Sequence, residues 1–319
     1  MFFDYILFVP LWLLSLLPLR VLYWLSDGLW VIVYYAVRYR RSLVRQQLAD
    51  SFPEKSEQEL RDIERRFYRL FCDYIVETIK LMSLSHEEMK RRVTFEGFET
   101  LQQEVMLRGK TLALAYLGHY GNWEWLASFS LWTIDGVGAA QIYHPLRNKS
   151  ADRFFLWLRG RFGGENIPMK ETLRRLLTMN RDGERRVVGF IADQSPKWEA
   201  THHWTRFLNH DTAFFIGTEQ IGRKTDALIF YVRVTRPRRG YYFCRVEPVS
   251  WNPREEPEYS ITDRYARLLE EQIREHPELW LWTHKRWKRT KEEWEKRMGT
   301  VSSLIGYNRT MHSTLDSKL

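Results

Sequence analysis

Two cysteines in 319 residues, Cys72 and Cys244, are too few for a disulfide framework or a thiolate metal set. Such sparing use fits a reducing compartment and two small, buried, apolar side chains. No H-E-x-x-H helix accompanies His202, His203 and His210, so they are not read as a zinc site, and no metal or cofactor is expected. Ser195 lacks a G-x-S-x-G elbow, which argues against a serine hydrolase. Basic residues are scattered, no nucleic-acid module is recognised, and no nucleic-acid partner is expected. Repeats and low-complexity tracts are absent. So is any unbroken apolar run of the roughly 20 residues a membrane span needs. Residues 5–19 carry no charge but include Pro10 and Pro18; residues 21–37 are interrupted by Asp27 and Gly28. With no basic n-region and no A-x-A-like site, the start does not read as a cleaved signal.

What the chain has is aromatic surface and positive charge. Aromatics make up 15% of residues, with 14 Trp, a composition suited to a membrane interface, where one end of the ring is dry and the other wet. A formal net charge of +9 calls for an acidic partner such as anionic lipid. The apolar start favours lipid. Residues 1–45 read as a membrane anchor, one inserted helix plus an interfacial one, and the alternative is a buried helical hairpin of a soluble protein. Arg38, Arg40, Arg41 and Arg45 follow directly, which keeps the next domain on the cytoplasmic side and attracts headgroups.

Residues 46–299 form the second unit. Ser56 with Glu59, and Ser85 with Glu88, are capping boxes that open helices. From Lys110 the pattern alternates. Strands are expected over 111–117, 138–143, 186–192, 227–235 and 241–249. Helices are expected over 122–133, 149–162, 171–180, 213–224 and 261–275. The fold class is therefore α/β, a mixed central sheet flanked by helices, with an N-terminal membrane-anchoring helical segment. Arg236-Pro237-Arg238-Arg239-Gly240 reads as a hairpin turn joining antiparallel strands. The tail, 300–319, is weakly patterned and is expected to be flexible.

The stretch 117–125, Leu-Gly-His-Tyr-Gly-Asn-Trp-Glu-Trp, stands at a strand-to-helix junction. His119 falls in the turn and Glu124 in the first helical turn, from which the carboxylate can reach back to the imidazole. A histidine held by a carboxylate is an oriented general base, although such a pair is often only structural. Asn122 can cap the helix. An oxyanion could be met by backbone N–H groups around 121–123 or by a nearby arginine. Arg159 and Arg161 have the forked donors that suit a phosphate, or they form a solvated helix face. Asp193 and Gln194 end a strand, where α/β proteins gather ligands. Arg223 and Lys224 are explained by a helix C-terminus alone, and 280–287, rich in Trp, by packing.

These blocks together resemble the lipid A late acyltransferases, the lauroyl and myristoyl transferases. The resemblance runs from the apolar start to Arg289. Its central mark is the H-x4-D/E motif, here His119 and Glu124. Leu48-Ala49-Asp50-Ser51-Phe52-Pro53 is similar to an N-L…F-P segment but lacks its Asn. Tyr143-His144-Pro145 with Asn148 resembles Y-R-P…N, with His144 for the usual basic residue. Arg159-Gly160-Arg161-Phe162-Gly163 resembles R…R-F-G, and Ala192-Asp193-Gln194 the A-D-Q block. His276-Pro277-Glu278-Leu279-Trp280-Leu281-Trp282, then His284, Arg286, Trp287 and Lys288, resemble the C-terminal signature. The resemblance implies an acyltransferase that moves a fatty acyl group from acyl carrier protein, or sometimes coenzyme A, to a hydroxyl of a lipid A precursor. It would work at the inner membrane with its catalytic domain on the cytoplasmic side. Its site would hold His119 as base, Glu124 as orienter, and Asn122, Arg159, Arg161, Asp193 and Gln194 at the substrates. Its partners would be acyl carrier protein, the lipid A precursor and membrane lipids. A different class of reading remains: a non-catalytic peripheral lipid-binding protein, which would tolerate loss of His119.

Overall fold

Apolar six-residue strands at the centre of a sheet set the architecture. The computed structural model describes residues 2–298, with side chains from Phe8 onward; the tail 300–319 lies outside the described residues. In chain order come α1 (Phe2–Leu16), α2 (Leu19–Val31, continuing as a π-helical turn Ile32–Val37), α3 (Arg41–Ser51), α4 (Glu57–Lys80), α5 (His86–Arg92), β1 (Val93–Glu96), α6 (Phe98–Leu107), β2 (Leu112–Leu117), α7 (Trp123–Leu126), β3 (Gly138–Tyr143), α8 (Lys149–Gly160), β4 (Glu165–Pro168), α9 (Thr172–Arg181), β5 (Arg186–Ile191), β6 (Trp204–Phe207), β7 (His210–Ala213), α10 (Gly217–Thr225), β8 (Leu228–Arg238), β9 (Tyr241–Ser250) and α11 (Ser260–Glu275). Seven strands form one sheet in the order β1-β9-β8-β2-β5-β3-β4. All neighbours are parallel except β8 and β9, which are antiparallel across the expected 236–240 turn. The mixed α/β sheet flanked by helices is thus as the alternation indicated.

β2 and β5 read as near-continuous apolar runs because interior parallel strands are covered on both faces. Their register pairs Leu112 with Arg186 and Leu117 with Ile191. On one face α11 packs with Ile261, Tyr265, Leu269 and Ile273 buried at helical spacing. α4 runs 24 residues behind a complete Ser56–Glu59 capping box. At α5, Ser85 accepts the backbone N–H of Glu88.

Four strands leave no signal in the pattern. β1, β4 and the β6–β7 hairpin have four residues each, and β7 begins His-Asp, so none offers an apolar run. The helix expected over 122–133 is a single α-turn followed by a 3-10 segment, Ala127–Trp132. Ser130 spends its hydroxyl on Phe162 O at 2.7 Å, and Thr133 its own on Ser130 O at 3.0 Å, local bonds that compete with a regular helix.

The N-terminal hairpin is tied to the domain by buried polar residues of α4. Ser26 donates to Asp73 at 2.7 Å and Tyr23 to Glu77 at 2.8 Å. Among the described residues no single helix is long and apolar enough to cross a membrane; 8–16 and 19–37 meet the length and composition test only as a pair bent by 119°. The arginines after the hairpin are partly engaged inside the protein. Arg41 and Arg45 both pair with buried Glu64, at 2.9 and 3.0 Å, and Arg40 donates to Thr283 O at 2.8 Å.

Candidate active site

Because Leu117 and Ile191 are in register, the two chains leave the sheet side by side and reach His119 and Asp193 after two residues each. Asp193, buried, accepts from the His119 ring Nδ1 at 2.6 Å and from the His119 backbone N–H at 2.9 Å. The indole Nε1 of Trp280 donates to the same carboxylate at 2.8 Å. Gly118 makes this approach possible: a Cβ there would lie 2.8 Å from Leu269 Cδ1 and 3.5 Å from Asp193 Oδ2. Burial pushes the Asp193 carboxyl up. Electrostatic attraction to the His119 ring, the two His119 hydrogen bonds and that of Trp280 outweigh it and hold the group at about 2.

A carboxylate on Nδ1 assigns the proton to that nitrogen and leaves Nε2 with a lone pair. Gln194 Nε2 lies 3.2 Å from it and can donate there. The ring stands edge-on to Trp123, with centroids 5.1 Å apart, and Trp123 stacks on Tyr74 at 4.2 Å. The histidine side chain retains 19% of its accessible surface, so the pair is open to a ligand on one side.

Spacing placed Glu124 on the imidazole, and this geometry differs. Glu124, 2% exposed, is held by Arg159 at the end of α8, with Nε at 2.7 Å and Nη2 at 2.6 Å. A buried carboxylate needs a matched cation, and a guanidinium supplies two parallel donors. The imidazole meets the acid at the end of the neighbouring strand instead, because strand register brings Asp193 to it.

Asn122 caps α7, accepting from Trp125 N at 3.1 Å, and donates to Glu77 at 2.9 Å. Glu77, wholly buried, also accepts from Tyr242 at 2.7 Å, and burial raises its pKa. Gly121 has φ +61°, and a Cβ would meet the Tyr242 ring at 3.1 Å, so this turn needs glycine. Its N–H is taken by Leu279 O at 2.8 Å, while Leu281 N donates to His119 O at 3.0 Å. The loop is therefore strapped to 279–281 and cannot offer the Gly121 N–H to an oxyanion. Arg161 stands apart from this cluster: its guanidinium is bound to the carbonyls of Leu81 and Leu84.

So His119, Asp193 and Gln194 share one group of contacts, and Glu124 with Arg159 forms a second beside Tyr74 and Trp123. The Trp280 ring is buried, as packing requires, and its N–H serves Asp193. His284 carries no local signal in the sequence for a role of its own. Its Nε2 accepts weakly from Ser195 N at 3.4 Å, and burial, with Lys288 nearby, pushes its pKa down to about 4. Arg286 is fully buried beside it, and burial lowers its pKa to about 10.

The model of the family described as bacterial lipid A biosynthesis acyltransferase matches residues 1–289. The chain is 25% identical over 280 residues to the lipid A biosynthesis lauroyltransferase of Escherichia coli (strain K12), covering 87% of this chain and 89% of that protein. It is 22% identical over 276 residues to the lipid A biosynthesis acyltransferase of Haemophilus influenzae (strain ATCC 51907 / DSM 11121 / KW20 / Rd), covering 85% and 82%.

Proposed function

This chain belongs to the bacterial lipid A biosynthesis acyltransferase family and is an acyltransferase, and we propose that it moves a fatty acyl group from an acyl carrier protein thioester to a hydroxyl of a lipid A precursor, with His119 as general base. The observation that carries the proposal is the Nδ1 bond of His119 to Asp193, which leaves Nε2 as the proton acceptor.

An alcohol is a weak nucleophile until its proton is removed. The acceptor hydroxyl displaces the Gln194 amide from Nε2 and gives its proton to the ring as its oxygen attacks the thioester carbonyl carbon. Asp193 stabilises the imidazolium that forms. The tetrahedral oxyanion collapses, the C–S bond breaks, and the proton passes from Nε2 to the departing thiolate. No acyl-enzyme is required, because both substrates bind together and proximity supplies much of the rate. Arg159, fixed by Glu124, keeps donors beyond the two it gives the carboxylate, and these serve the oxyanion or a substrate phosphate. Glu124 thus acts through Arg159, with Asn122 shaping the turn. The apolar hairpin rests in the inner membrane with the site on its cytoplasmic side.

The test is acyl transfer by purified protein, with acyl carrier protein thioester and coenzyme A thioester supplied separately. Wild type is expected to use the carrier thioester, and His119→Ala to lose transfer while keeping its thermal unfolding midpoint. Near-normal turnover by His119→Ala would end the base assignment. Faster transfer from the coenzyme A thioester would end the donor assignment.

A further inference from the structure

The arginine-rich turn between β8 and β9 has no part in the chemistry above, yet it forms a wall of a cavity of about 610 Å³. Residues of α4 and of the 276–279 turn also line it. Four guanidinium groups, Arg66, Arg69, Arg236 and Arg239, face three carboxylates, Asp27, Asp73 and Glu278, with His276 beside them.

The carboxylates do not use up these cations. Asp73 is saturated: it accepts from Ser26 at 2.7 Å, Arg236 at 2.7 Å and Arg239 Nε at 3.0 Å. Even so, Arg236 Nε is buried with no hydrogen-bond partner among the described residues. Arg66 only reaches Glu278 at 3.7 Å. Arg69 has no ion-pair partner among the described residues, and its guanidinium carbon lies 4.3 Å from the centroid of the Trp30 ring of α2. A cation–π contact of this kind holds the guanidinium in place without using its N–H donors. A cavity lined by four guanidinium groups and three carboxylates suits a charged headgroup rather than an acyl chain.

We propose that this cavity binds a phosphomonoester, with Arg66 and Arg69 as the phosphate fork and Arg236 behind them. The chemistry is common to an anionic phospholipid headgroup and to a phosphorylated sugar. The site is built into the frame of the catalytic loop. Leu279, which lines the cavity, accepts Gly121 N, and His276 O accepts the Tyr120 hydroxyl at 2.9 Å. Asp73 sits one helical turn before Glu77, which holds Asn122. A phosphate in the cavity therefore rests against the walls that position the loop carrying His119. The inference stands on the cavity alone and not on the acyl-transfer reading.

The test is binding by the full chain. One arm measures flotation with phosphatidylcholine vesicles containing phosphatidic acid, taken as the excess over phosphatidylcholine alone. The other titrates glucosamine 1-phosphate by calorimetry. Arg66→Gln with Arg69→Gln is expected to weaken at least one arm by about tenfold, the loss of charge-assisted bonds to one anion. Loss confined to vesicles identifies a bilayer headgroup; loss of the sugar phosphate identifies a glycolipid phosphate. Arg61→Gln with Arg65→Gln removes two charges from exposed positions of α4 outside the cavity and is expected to leave both arms unchanged. The proposal is overturned if wild type binds neither probe, if the cavity variant binds both like wild type, or if the control variant loses as much. Because neither arm measures turnover, these outcomes leave the acyl-transfer reading untouched.

Discussion

Arg159 grips both oxygens of Glu124, Nε at 2.7 Å and Nη2 at 2.6 Å, where the carboxylate keeps only 2% of its side-chain surface. The grip decides what either residue can do. Glu124 is neutralised by its own cation and is not spent on the imidazole. Arg159 is fixed by the same grip, its guanidinium carbon 5.2 Å from the Phe155 ring centroid.

The first prediction concerns this pair. Arg159→Met leaves a buried carboxylate without a partner and should cost about 3–5 kcal/mol of stability. Arg159→Gln and Glu124→Gln should each lower acyl transfer, and the double variant should lose little more than either alone, because both disrupt one unit. Unfolding in urea and kcat/KM across the four proteins of the cycle check this. Additive losses would show that the two side chains act separately.

Asp193 gives the second. Asp193→Asn keeps the size of the side chain but turns one acceptor oxygen into an NH2 donor; with the remaining oxygen held by the His119 N–H and Trp280, the donor faces Nδ1 and the His119 tautomer is lost. By analogy with carboxylate–histidine pairs elsewhere, kcat should fall about 10³–10⁴-fold while the fold survives. A loss smaller than tenfold, with near-ultraviolet circular dichroism unchanged, would exclude Asp193 as the orienting group.

How much of this could be read from the chain differs residue by residue. β2 and β5 were legible because interior parallel strands are apolar throughout, and the 236–240 turn because proline and glycine mark it. The turn at 118–121 put His119 at the mouth of the sheet. Its partner was not legible, because register between strands 74 residues apart is a tertiary fact and local spacing offered Glu124 first. Asp193 and Gln194 were found as strand-end residues without their common partner. Trp280 looked like core because its ring is core; only its single N–H is polar. β1 and β4 were hidden by their length, four residues leaving no period to detect.

Histidine 284 supplies a pH prediction. Burial, with Lys288 and Arg286 nearby and Asp193 opposing them, holds its pKa at about 4 against an ordinary 6.5. The unfolded chain therefore binds the extra proton between these values, and stability must rise with pH across that window. The contribution is fully present above about 6.5 and is lost as pH falls towards 4. Discounted for partial exposure it amounts to roughly 2–3 kcal/mol. His284→Gln, which can still accept from Ser195 N, should flatten urea stability between pH 4 and 6.5 relative to wild type. An unchanged slope would remove His284 as its source.

The last prediction separates two ways of holding a membrane. An electrostatic anchor would rest on the arginines after the hairpin, but Arg41 and Arg45 already pair with Glu64 and Arg40 with a carbonyl. An apolar anchor would rest on the outer face of the hairpin, where Trp24 is 73% exposed and Trp12 42%, with Leu13, Val31 and Ile32 also exposed. The burial pattern favours the second. High salt screens only charge, so washing membranes in it should leave the protein in the pellet. Trp12→Glu with Trp24→Glu should move it to the soluble fraction, because each charge would otherwise enter the interface where an indole now sits. Both positions are exposed in the protein, so folded stability should change by no more than about 0.5 kcal/mol per site. Release by salt alone, or retention of the double variant on membranes, would return the anchor to the arginines.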